Sequence, residues 1–343
     1  MIDCSPGFLV ILGLVLAAIP VCARAENDPG KTSIDSPCAR SVHATPPASD
    51  LPTPAQRQAL VGCDSEALYY GIGRPADPAQ ARLCAFVQQS QETEAQPVGF
   101  SGSHMLMVIY ANGVGAERNI PYAIHLACTS SLAEAERDGR VAHLLGYQEH
   151  GFTDRFGFCD DATSGLTGGY CAAHDRRLRQ QGEAQAIARF AASLPLLAQP
   201  AFIQLVQAQA AWAEARSRHE VDLTGTLRAA LEIDEEDLQE RDFIAMLDRL
   251  RTGHFPHLGP VDLAAAETRM RTILNRLQRE KGYLNGGTVT QEGVAEAQNT
   301  WERYRDAWGA FAVADYPSWS AAGAEAWVTM KRAHMLTRLH VSE

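Results

Sequence analysis

Six cysteines, Cys38, Cys63, Cys84, Cys128, Cys159 and Cys171, carry the most reactive side chains of the chain after residue 25. They could pair with each other, hold zinc or exchange thiols. No Cys-x-x-Cys spacing occurs, which argues against both zinc and thiol redox chemistry. An even cysteine number in an exported chain implies three disulfides. Of the pairings open to them, Cys159–Cys171 closes a short loop and Cys63–Cys84 would clip a helical hairpin. Cys38–Cys128 is what then remains.

The eleven histidines are scattered. His143 with His150, or His254 with His257, lack a neighbouring Cys or acidic ligand at metal spacing. His219-Glu220 lacks the second histidine that a zinc-protease helix needs on the same face. Gly99-Phe100-Ser101-Gly102-Ser103-His104 lacks glycine at position 103, which a nucleophile elbow requires. Asp160-Asp161, beside Cys159, reads as a turn or cap. The expectation is a chain without catalytic residues, bound metal or cofactor.

A net charge of −11 excludes a nucleic-acid partner, because that role needs a basic surface to displace counterions. The run from Asp234 to Asp242 holds six acids and one base. It reads as a solvated helix face or, in the sharper alternative, as a patch steering a basic partner.

Several kinds of element must position these residues. Phe8 to Val21 is one apolar run followed by Ala23-Arg24-Ala25, the pattern of a signal peptide over 1–25. Cys22 raises a lipoprotein alternative that Pro20-Val21 disfavours. The mature chain is then periplasmic or secreted, with no integral membrane segment. Residues 26–54, rich in Pro, Ser and Thr, read as an extended linker pinned at Cys38. Over 55–158 a pattern repeats: Tyr70-Gly71-Ile72-Gly73 before Asp77-Pro78, then Asn112-Gly113-Val114-Gly115 before Asn119-Ile120-Pro121. Each block reads as helix, glycine turn, polar cap, proline in the first turn and second helix.

The second half looks helical to its end. Val294, Ala297, Trp301, Tyr304, Trp308 and Phe311 step by three and four, as on a helix packed along its length. Eighty-nine residues earlier, Leu205, Ala208, Trp212 and Ala215 begin a similar stripe that then meets His219 and Asp222. Gln209 and Arg216 stand at the same offsets from Trp212 as Gln298 and Arg305 do from Trp301. The spacing predicts a duplicated helical module, 159–251 and 259–341. Thr288-x-x-Gln291 reads as the capping box of the later tryptophan helix. Gln298 and Arg305, with Gln209 and Arg216, are expected to satisfy neighbouring groups rather than face a ligand.

At these residues two resemblances enter. The glycine-turn segment, over about 90 residues, resembles Sel-like repeats, relatives of the tetratricopeptide repeats. The later module resembles the lysozyme-inhibitor LprI-like domain of secreted bacterial proteins. Ala297-Gln298-x-x-Trp301-x-x-Tyr304-Arg305-Asp306 and Thr329-x-x-Arg332-x-x-x-Leu336 carry that resemblance. The earlier copy matches at Ala208, Gln209, Trp212 and Arg216. In the family's first block Ala266-Glu267 keeps the acid, while Met270, Arg271 and Leu274 replace its Leu, Asn and Tyr. The resemblances imply an all-α protein of helical-hairpin repeats followed by two related bundle modules. They imply a non-catalytic role in binding a protein partner, lysozyme in the specific version. An envelope adaptor acting through the repeats is the alternative.

Overall fold

The computed structural model describes residues 36–93, 99–151, 154–279, 284, 287–315 and 319–339. The expected signal peptide lies outside them. Among the described residues the protein is all-α, with thirteen α-helices and no strand.

The first seven helices are α1 (Pro37–Ser41), α2 (Pro54–Ala59), α3 (Ser65–Tyr70), α4 (Pro78–Gln89), α5 (Gly102–Asn112), α6 (Ile120–Cys128) and α7 (Glu134–His150). Successive helices from α3 to α7 pack on one another. Glycine and proline set their turns. Gly71 ends α3 with φ 77°, a conformation that costs a side-chain-bearing residue energy. The Asp77 amide then donates to the Leu68 carbonyl at 2.7 Å. Asp77 Oδ1 accepts from the Gln80 amide at 3.0 Å, with Pro78 in the first turn of α4. Forty-two positions on, Gly113 has φ 67° and the Asn119 amide donates to Tyr110 O at 3.0 Å. There Asn119 Oδ1 accepts from the Tyr122 amide at 3.0 Å.

The segment before α2 departs from an extended linker tied once. Ser36 Oγ caps α1 at 3.1 Å, with Pro37 in its first turn. Asp50 accepts from the Tyr110 hydroxyl at 2.9 Å and lies 3.3 Å from Arg82. Side-chain partners on α4 and α5, which a local pattern does not register, hold it down. The three disulfides are the expected ones: Cys38–Cys128, Cys63–Cys84 and Cys159–Cys171, with Cα separations of 5.6, 6.0 and 5.8 Å.

The remaining helices are α8 (Gly165–Ser193), α9 (Gln199–His219), α10 (Arg228–Arg251), α11 (Pro260–Arg279), α12 (Gln291–Asp315) and α13 (Ala321–Thr337). Helices α9 and α12 pair antiparallel, so that Phe202 and Phe311 meet at 5.6 Å. Helix α10 packs on α8 and α9, and α13 packs on α11 and α12 in the same way. One apolar core runs through all six, from Phe190 to Leu339, and contains both Trp212 and Trp301. The stripe from Val294 to Phe311 is buried throughout. Helix α8, about 43 Å long at 1.5 Å per residue, joins the two halves. Its start carries Cys171, packed against the first core, and its end carries Phe190 of the second.

The opening of α12 differs from the expected capping box. Thr290, not Thr288, is the cap: its Oγ1 accepts from the Gly293 amide at 3.0 Å. Thr288 Oγ1 instead accepts from the Leu223 amide at 2.7 Å. Gln291 donates to the Leu277 and Gln278 carbonyls, both at 3.0 Å, at the end of α11. Partners on the α9–α10 turn and on α11 outcompete the local pairing.

Candidate functional site

The residues of the tryptophan motifs converge at the seam between α9, α12 and α13. Arg332, on α13, is fully buried. Its Nη1 and Nη2 donate to the two carboxylate oxygens of Glu220 at 2.7 and 2.5 Å. Its Nε donates to Gln298 Oε1 on α12 at 3.0 Å. The guanidinium plane lies 4.7 Å from the centre of the Trp212 ring. Arg216, one turn beyond Trp212, donates to Glu220 at 3.1 Å and to Glu235 of α10. Gln239 donates to Glu235 at 2.7 Å. Two arginines thus face two glutamates, a neutral set, buried except for the half-buried Glu235, in which each charge has a partner. Desolvating these groups is costly, and geometry of this quality offsets that cost.

The other motif residues surround this clamp. Ala297, Trp301 and Leu336 are core. Thr329 Oγ1 donates to the Glu325 carbonyl at 2.6 Å. Burial raises the Tyr304 hydroxyl above its ordinary pKa. Ala208 is half-buried and packs at the core's edge. Gln209 is buried, and its Nε2 has no hydrogen-bond partner among the described residues. Arg305 and Asp306 stand outside the clamp and bond each other at 2.7 Å. The arrangement fixes four helices.

The acidic run on α10 is mostly spent inside the molecule. Glu235 meets Arg216, and Glu236 meets Arg176 of α8. Asp237, almost fully buried, accepts from Arg179 at 2.7 Å and lies 3.3 Å from Arg241. Asp242 accepts from Lys331 at 2.6 Å. Desolvation raises the pKa of Asp234, Glu240 and the facing Glu183. Four of the six acids therefore hold helices together, which removes most of the charge a docking patch would need.

A second polar cluster lies where α4 and α6 end and α5 begins. A cleft of about 270 Å³ is lined by Glu92, Ser101, Ser103, His104 and Ser130, among others. His104 Nδ1 and Nε2 each stand 3.1 Å from a serine hydroxyl, of Ser101 and Ser130 respectively. Glu92 is bound to the Ser103 amide and hydroxyl at 2.8 and 2.6 Å. Glu92 thereby closes the start of α5. His143 is held between Asp161 at 3.2 Å and Tyr147 at 3.0 Å. Among the described residues no three His, Cys, Asp or Glu side chains form a metal-binding group.

With fold and site in place, the class they define is an all-α protein with a buried polar clamp. No protein-family model, curated protein or solved structure matches the chain.

Sequence reasoning missed the anions on which the cations depend. Glu220 was legible only as the residue four beyond Arg216, the spacing of a helical ion pair. Glu136 is another. It is fully buried and accepts from the Thr163 and Ser164 amides at 3.0 and 2.7 Å and from the Thr167 hydroxyl at 2.7 Å. It thereby caps α8 from a different helix, and no local pattern could announce that.

Proposed function

We propose that the chain is an exported, non-catalytic protein-binding protein whose residues 159–251 and 259–341 are two copies of one LprI-like module, with lysozyme as its partner. One observation carries this reading. Trp212 and Trp301, 89 positions apart, stand on the paired helices α9 and α12 in one core. In each set of three helices the last packs on both earlier ones. Motif residues buried in this way define the scaffold, so contact with an enzyme falls to the exposed faces and blocks its cleft without bond chemistry.

The test is a titration of lysozyme activity with purified residues 26–343. Stoichiometric, salt-sensitive inhibition supports the reading; full activity at equimolar excess and low salt overturns it. Deleting 259–343 is not a clean control, because it would strip half of a shared core.

The recurrence of the α3–α4 turn at α5–α6, bond for bond, favours a second reading. Here the Sel-like half is an envelope adaptor. It predicts that a photo-crosslinker at exposed Gln80 captures an envelope protein while lysozyme stays fully active.

A further inference from the structure

The two ends of the C-terminal bundle differ in charge. At one end lie the ion pairs of Arg176, Arg179 and Arg216 with α10. At the other the chain is almost uncharged: the thirty residues from Ala184 to Ala213 carry a single charge, Arg189. A chain with 21% charged residues would be expected to place about six there. This stretch comprises the end of α8, the turn Leu194-Pro195-Leu196-Leu197 and the first part of α9.

Burial does not explain the missing charge. Leu196 and Leu197 are 81% and 91% exposed, and Ile203 is 53% exposed. Phe190, Phe202 and Phe311 meet at this end, with ring centres 5.1 to 6.2 Å apart. Their meeting brings Val313 of α12 to the same end, 68% exposed. Two arginines and one aspartate line a cleft beside Phe190. Arg189 and Arg251 edge this cleft of about 330 Å³, whose lining includes Phe190 and Leu247. Asp248 pairs with Arg251 at 2.6 Å, both side chains well exposed, so these three residues together keep one net positive charge.

We propose that this end of the bundle is a peripheral membrane-binding surface. Leu196 and Leu197 enter the boundary between headgroups and acyl chains, and Arg189 and Arg251 meet anionic headgroups. Aliphatic side chains beside arginines are the composition of an interfacial anchor. Backbone chemistry permits the insertion. Pro195 has no amide hydrogen, the Leu194 amide donates to Ala191 O at 3.2 Å and the Ala198 amide to Pro195 O at 2.9 Å, which confines the backbone donors that must stay at headgroup level to those of Leu196 and Leu197. The overall charge of −11 repels an anionic bilayer from most of the surface, which fixes the orientation with this end inward. The anchor lies on the membrane and does not cross it: no helix among the described residues is long and apolar enough to span one.

The test uses residues 26–343, which contain every described residue, and sedimentation with vesicles. One set contains phosphatidylglycerol and phosphatidylethanolamine, the other phosphatidylcholine alone. The protein is expected to pellet with the phosphatidylglycerol vesicles at low salt. Leu196→Ser with Leu197→Ser should lower the partition coefficient about tenfold or more with an unchanged melting temperature, since both side chains are exposed. Arg189→Glu with Arg251→Glu should remove the preference for phosphatidylglycerol. The proposal fails if the unaltered protein does not pellet, or if the serine variant pellets equally. It also fails if that variant instead converts a dimer to a monomer in light scattering with no change in partition, because the surface would then belong to a second copy.

Discussion

The two halves of the molecule are held by different means. In the first, helices of five to seventeen residues are cross-linked by two disulfides, and a third ties the half to the start of α8. In the second, helices of 17 to 29 residues carry no cysteine bridge beyond that start and rely on an aromatic core with buried ion pairs. Short helices bury little surface each, so restricting the unfolded chain adds what packing cannot. Long helices supply enough apolar area to do without.

The largest effect should follow from breaking the covalent side of this contrast. In the chain-entropy picture, bridges spanning 90, 21 and 12 residues each contribute about 3 to 5 kcal/mol. All five tryptophans belong to the second half, so their fluorescence reports that half alone. Reduction is expected to lower the helical signal in circular dichroism markedly while the tryptophan unfolding midpoint moves little. A large shift in tryptophan fluorescence on reduction would show the halves to be one cooperative unit.

The corresponding break in the second half is Arg332→Met. It strands Glu220, fully buried in its side chain, beside only Arg216, and leaves Gln298 Oε1 without its donor. Removing one member of a buried ionic set costs about 3 to 5 kcal/mol. The tryptophan midpoint in urea should fall accordingly, with the slope of the transition unchanged. A fall below about 1 kcal/mol, the range of surface pairs, would deny the clamp its role.

Much of this architecture was legible beforehand, and the part that was not has a common cause. Periodicity exposed the Val294–Phe311 stripe because burial on one face repeats along the chain. Gly71 and Gly113 marked their turns because the left-handed conformation is local. The cysteine pairs followed from loop length and hairpin logic. What stayed hidden depends on partners far away in sequence: Glu220 with Arg332, Glu136 with the start of α8, Gln291 with the end of α11. The sequence equates Gln209 with Gln298, yet Gln298 accepts a hydrogen bond from an arginine, whereas the buried amide nitrogen of Gln209 has no partner among the described residues. The pair can therefore be separated. Gln298→Leu should cost about 1 to 3 kcal/mol by leaving buried Arg332 short of an acceptor, whereas Gln209→Leu should be neutral or slightly stabilising. Equal losses in thermal melts of the two variants would mean that Gln209 has a partner of comparable worth.

The smallest effect distinguishes the halves by pH. Burial alone would raise the Glu136 carboxyl, but its hydrogen bonds from Ser164, Thr167 and Thr163 outweigh burial and hold its pKa below the usual 4.5. A group lowered on folding contributes stability that is full above its unfolded pKa and is lost as pH falls through the folded one. On α8 and α10, Glu183 and Glu240 are raised above 4.5, and Asp234 above 3.8, first by burial. Neighbouring Asp237 adds to all three shifts, and arginines offset them in part. For a carboxyl raised on folding the sign reverses: its charged form is a cost at neutral pH, relieved as pH falls from the folded value towards the unfolded one. Acidification from pH 7 towards 4.5 should therefore leave Glu136 intact while it relieves strain along α8 and α10. The tryptophan midpoint in urea should rise slightly over that interval. Below about pH 4, the amides of Thr163 and Ser164 should lose protection against hydrogen exchange before the core of α12 does. Glu183→Gln should flatten the rise, because a neutral amide cannot titrate. A tryptophan midpoint that falls steadily from pH 7 would mean that the arginine pairs of α10, not its excess carboxylates, govern that half.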